Sequence, residues 1–164
     1  MCIRDRYKQY LAPTEKLWTY EYTKAYYLFN QREFEQANDL LVALEQRKDL
    51  PLSVLIRAKT LSIRVYYEDW EQKKFPSPKP QEFLLSKIKS FENYIYRSKQ
   101  MAKPKKQEYL QFIQLLKQMV NCIKPTVFQL KDLMKIKTKL KQNKAIALRF
   151  WLQQKNEFML DYLS

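Results

Sequence analysis

Glycine and histidine are both missing from this 164-residue chain. Without glycine, no backbone can approach a phosphate closely in a glycine-rich loop, so neither a P-loop nor a dinucleotide-binding Rossmann turn is available. Without histidine, the commonest acid–base catalyst and metal ligand is gone. Cysteine is scarce as well: Cys2 and Cys122 cannot build a four-ligand zinc site or a disulfide framework. No apolar run approaches the roughly 20 residues that a membrane-spanning helix needs. These gaps leave little enzymology, and the sequence predicts no catalytic, cofactor-binding or metal residue.

The missing glycine also bears on fold class. Tight β-hairpins lean on glycine for positive φ, whereas helix connections can use asparagine or proline. Lys, Gln, Leu and Glu are abundant and suit helices. The expectation is an all-α protein, long enough for one domain with a continuous apolar core. The formal charge of +14 is unevenly spread. Residues 1–96 hold 16 basic and 13 acidic groups, whereas residues 97–144 hold 13 basic groups against only Glu108 and Asp132. Residues 145–164 balance at two against two. Attraction for anionic partners is therefore concentrated in 97–144.

The opening MCIRDR fits nothing that follows it and looks like the translation of a sequencing adapter. On that expectation Met1 is not a natural start, and the natural protein extends upstream. The alternative is a genuine N-terminal arm. Residues 1–13 are expected to be artefactual or disordered, and residues 14–164 to form a single helical domain with a cytoplasmic location.

Prolines and polar breaks then mark about seven helices. The first, from about Thr14 to Asn30, has Thr14 as candidate N-cap and Asn30 as candidate left-handed C-cap. It is unusually aromatic, with Tyr20, Tyr22, Tyr26, Tyr27 and Phe29. The second, Arg32 to Arg47, puts Phe34, Ala37, Leu41 and Leu44 on one face. The third, Pro51 to Gln72, has an apolar row of Leu55, Ala58, Leu61 and Val65, widened by Ile56, Ile63, Tyr66 and Trp70. So broad a surface predicts a helix packed on several sides. The stretch Lys73–Pro80, KKFPSPKP, reads as an extended loop within one domain, because three closely spaced prolines oppose helix. Helix four follows from about Gln81 to Lys99. Helix five opens at Pro104 with Leu110, Ile113, Leu116, Met119, Val120 and Ile123 as its stripe. Cys122 reads as a small core residue. Helix six starts at Pro125–Thr126 and ends at Asn143, and helix seven runs from Lys144 to about Tyr162.

The stretch from Ala25 to Pro51 resembles a tetratricopeptide repeat. That family has a small residue in its first helix, an aromatic opening the second, alanine three later, a large apolar residue four beyond, and then a proline. Ala25, Phe34, Ala37, Leu41 and Pro51 take those places. The turn glycine is missing, Leu44 stands where alanine is usual, and Pro51 falls about two residues late. Residues 15–164 as a whole look like the C-terminal part of bacterial helical proteins with degenerate repeats of this kind. The resemblance implies antiparallel helix pairs in a right-handed α-solenoid, closed by helix seven, that binds a protein or peptide on a concave surface without catalysis.

Two groups of residues are candidates for partner contact. Tyr22, Tyr26 and Phe29 lie on one side of helix one, and Tyr66 recurs on helix three; together they would line a binding groove, although aromatics at helical spacing also suit a core. Lys131, Lys135 and Lys139 follow i, i+4 spacing and form a candidate anion-binding patch, with Lys103, Lys105 and Lys106 just before helix five. Such lysines make nucleic-acid binding the alternative function. Against it, arginine is scarce there and no aromatic platform alternates with the charges. Glu33 and Glu35 suit the first turn of helix two, where they complement the helix dipole.

Overall fold

Seven α-helices and no strands are found among the residues that the computed structural model describes, 13–73, 75, 78–123 and 130–163. They are α1 (Pro13–Asn30), α2 (Phe34–Gln46), α3 (Leu52–Gln72), α4 (Pro78–Arg97), α5 (Lys103–Cys122), α6 (Leu130–Gln142) and α7 (Arg149–Leu163). No described helix is long and apolar enough to cross a membrane. The chain divides into two compact units, Met1–Lys74 and Phe75–Ser164. Most of the expected N-terminal segment, and the expected start of helix six at Pro125–Thr126, lie outside the described residues.

In the first unit α1 packs on α2 and α2 on α3, with a lighter contact between α1 and α3. Ala25 and Ala37 are fully buried, and with no side chain beyond Cβ they let the α1 and α2 backbones close on each other. Phe29, Phe34, Leu41, Leu44, Ala58, Leu61 and Val65 complete this core, flanked by Trp18, Tyr22 and Leu40. Each large apolar side chain buried here stabilises the unit by roughly 1.5–3 kcal/mol. Arg47 ties the seam electrostatically, reaching Glu21 at 3.4 Å and Asp49 at 2.9 Å, while Lys59 on α3 meets Glu45 on α2 at 3.0 Å. As its two apolar rows predict, α3 is buried on more than one side, with Ile56, Ile63, Tyr67 and Trp70 buried in addition to the core row.

The α1–α2 turn corrects one expectation. Asn30 remains helical, and its amide donates to the Tyr26 carbonyl at 2.9 Å. The left-handed residue is Arg32, at φ 63°. Its N–H donates to Phe29 O and the next N–H, of Glu33, to Leu28 O, which is the paired bonding of a Schellman turn. That geometry needs positive φ just past the helix end, where glycine carries no penalty and arginine does.

In the second unit α5 is central, packing on α4, α6 and α7. Phe112 and Leu115 are therefore buried beside the expected Ile113, Leu116, Met119 and Val120, and Cys122 is buried too. The proline-rich segment is shorter than expected, because α4 already begins at Pro78. The first four N–H groups of a helix have no partner within it, so Pro78 and Pro80 forfeit no bond there. Three polar ties fasten α4 to α5. The Gln81 amide donates to Val120 O and Ile123 O, both at 2.8 Å; Lys106 donates to Tyr96 O at 2.7 Å; and Glu92 pairs with Lys117 at 2.7 Å.

Helix seven begins five residues later than expected. Asn143 turns the chain by accepting from Ala145 N–H at 2.9 Å while donating to Gln111 at 2.9 Å. Ala147 N–H then bonds Glu108 O on α5, and Leu148 takes φ 51° before the helix starts. Trp151, Leu152, Met159 and Leu160 are buried beneath α7, but Phe150, Phe158 and Tyr162 remain exposed on its outer side.

Two stability measurements test this account. Arg32→Gly relieves the left-handed strain of about 1–2 kcal/mol and loses part of it to the greater freedom of the unfolded chain, so urea unfolding should show a gain of up to about 1 kcal/mol. Hydrogen bonds from Lys117 and then Lys89 hold the Glu92 carboxyl below its ordinary range. A depressed carboxylate stabilises the fold above its unfolded value, about pH 4.3, and that contribution is lost as pH falls through the folded value. Glu92→Gln should therefore cost about 1 kcal/mol at neutral pH and flatten the stability loss between about pH 5 and 3 in acid titration of the unfolding midpoint.

Candidate functional site

Where α2 starts and α3 ends, the first unit opens into a cleft of about 790 Å³. Its wall on one side comes from the turn and the first residues of α2, namely Arg32, Glu33, Phe34, Glu35 and Asn38. The other wall is the last part of α3, with Val65, Tyr66, Asp69, Gln72 and Lys73. Glu33 stands at the N-cap of α2 and Glu35 in its first turn, where unpaired N–H groups and the helix dipole favour negative charge. Across the cleft Lys73 pairs with Asp69 at 2.7 Å.

Tyr66 is half-buried in the α3 wall. Its phenol is pushed above the ordinary tyrosine value, chiefly by burial, with the carboxylates of Glu45 and Asp39 adding to the effect and a hydrogen bond from Asn38 opposing it. The Asn38 amide nitrogen serves this bond, because its buried Oδ1 has no partner. Helix α2 carries Glu35, Asp39 and Glu45 and no basic residue, while Arg32 and Lys73 add positive charge to the cleft's lining.

The four aromatics expected to share one groove do not do so. Phe29 is 4% exposed and belongs to the core, packed 6.1 Å from the Phe34 ring and capped by Arg64 at 4.7 Å. Tyr22 is half-buried against the same core. Tyr26 is exposed, with its ring 6.3 Å from Phe29. Tyr66 faces another way for a geometric reason. Helical residues two positions apart differ by about 200°, so with Arg64 over Phe29 of α1, Tyr66 points to the other side, towards Asn38 of α2. The exposed face of α1 is instead Leu17, Tyr20 and Tyr27. Neither Asn38 nor Lys73 stood out in the sequence, because only the packing of α2 on α3 brings them opposite each other.

The second unit presents the basic surface. Lys131, Lys135 and Lys139 are all exposed on α6, as their spacing predicts. Lys135 pairs with Asp132 at 2.9 Å, and Lys137 meets Glu157 at 3.7 Å. Other lysines of the basic segment are bound internally. Lys105 pairs with Glu108 at 2.7 Å and lies over the Tyr109 ring, Lys106 caps α4, and Lys117 holds Glu92. A smaller cleft of about 260 Å³ lies beside Lys139, lined by Gln111, Gln114, Gln142 and Asn143 over Leu115 and Ile146.

Alkaline absorbance titration tests the Tyr66 environment. A phenol raised by burial and nearby carboxylates should ionise above the ordinary value of about 10, and Tyr66→Phe should take one phenol out of a late component to which the buried Tyr67 and the half-buried Tyr94 also contribute. Asp39→Asn should draw the Tyr66 phenol to lower pH. No family model, curated protein or solved structure matches this chain.

Proposed function

We propose that the chain is a non-catalytic protein-interaction module of tetratricopeptide-like type, in which antiparallel helix pairs follow one another with a right-handed twist. The α2–α3 cleft is the observation that carries this reading. It combines an open concavity with a half-buried tyrosine, an amide and charged groups of both signs at its rim, which is the mixture that anchors and orients a peptide segment. The resemblance of Ala25–Pro51 to a repeat hairpin supports the same reading, as does the packing of α1, α2 and α3 in succession. Nucleic-acid binding is less well supported, since Lys105, Lys106 and Lys117 are engaged within their own unit.

Site-specific photocrosslinking tests the proposal. A benzophenone side chain at position 35 or 66 should yield a discrete protein adduct in cell extract, and the same group at position 48 or 99 should not. Equal labelling from all four positions would reject the cleft as the binding site.

A further inference from the structure

Helix α6 buries Leu133, Ile136 and Leu140, which fixes the face that it turns outwards. At about 100° per residue, Leu130, Met134 and Thr138 run along one side of that outer face. Leu130 and Met134 are 43% and 54% exposed. Lys131, Lys135 and Lys139 form a strip on one side of this line, and Lys137 and Lys141 lie on the other. The outer face is therefore an apolar line between two rows of lysines, with Asp132 and the Glu157 of α7 as the carboxylates that meet it.

We propose that this outer face of α6 docks flat on an anionic phospholipid surface. Leu130 and Met134 enter the headgroup region, and the lysine stems extend sideways so that their ammonium groups reach the lipid phosphates. Charge complementarity selects the partner's sign, because α6 itself carries five lysines against Asp132 alone. The two exposed apolar side chains select a bilayer over nucleic acid: a phosphate backbone has nothing to bury them, and α6 has neither the arginines nor the aromatic rings that read bases.

The test is co-sedimentation of the full chain with vesicles of phosphatidylcholine, with and without phosphatidylserine, at physiological salt. Binding should require phosphatidylserine. Each lysine near such a surface is worth about fivefold in partitioning, so Lys131→Gln/Lys135→Gln/Lys139→Gln should weaken binding on the order of a hundredfold. Met134→Ser should weaken it about three- to tenfold. All four side chains are exposed, so circular dichroism should stay unchanged. A control, Lys24→Gln/Lys48→Gln/Lys99→Gln, removes the same charge elsewhere and should have little effect. The proposal is overturned if anionic vesicles do not bind, if the control triple equals the α6 triple, or if Met134→Ser is silent. Binding to duplex DNA that exceeds vesicle binding and ignores Met134→Ser would assign the face to nucleic acid instead.

Discussion

The last carbonyls of every helix need hydrogen-bond donors, and this chain must supply them without glycine. The usual solution, a left-handed glycine just past the helix, lets the following N–H groups fold back onto the last turn. Here arginine takes that conformation once, at Arg32. Elsewhere backbone N–H groups just past the helix serve some carbonyls, as at Arg47, Lys73 and Ile123, and side chains of a neighbouring helix serve others. Lys106 of α5 serves the end of α4, Gln81 of α4 serves the end of α5, and Arg149 and Gln153 of α7 reach Leu140 O near the end of α6. Each side-chain cap is thus also a tie between helices. In the α4–α5 pair the exchange is reciprocal, so helix termination and hairpin packing stabilise each other.

This arrangement draws polar residues into structural service and changes what the surface has left to offer. Of the lysines that look like a phosphate-binding run in the sequence, Lys105, Lys106 and Lys117 cap or pair within the second unit, whereas Lys131, Lys135 and Lys139 are exposed on α6. The first unit is different in character. Its second helix has no basic residue, and its cleft sits near Asp39 and Glu45, whose charges act on Tyr66. A near-neutral unit with a cleft lined by both signs of charge and a basic unit with a cationic, partly apolar helix face suit different kinds of partner. The proposed contact with an anionic surface falls to the second, and the proposed peptide anchoring to the first.

Much of the fold was legible from local signals. The absence of glycine, the proline positions and the three- and four-residue apolar spacing marked seven helices, most within a few residues of their observed ends. The misplacements have different causes. Proline opposes helix in general, which argues for a loop at Pro78 and Pro80, whereas a first turn tolerates it. The residues after Asn143 were read as helical, but a side-chain turn and the bond from Ala147 to Glu108 on α5 hold them out of the helix. The candidate site was less legible. Periodicity groups Tyr66 with the aromatics of α1, whereas Tyr66 is half-buried in the α3 wall of the cleft and Phe29 packs in the core.

By itself the sequence determined the helical class, the breaks, and the exposed lysine strip of α6, because these depend on propensity and periodicity within about one turn of the chain. Tertiary structure alone decided which polar side chain caps which helix, which aromatics are buried, and that Asn38 and Asp69 line one cleft. A helix presents several faces, and the neighbour that covers one of them is set by packing between segments distant in the chain.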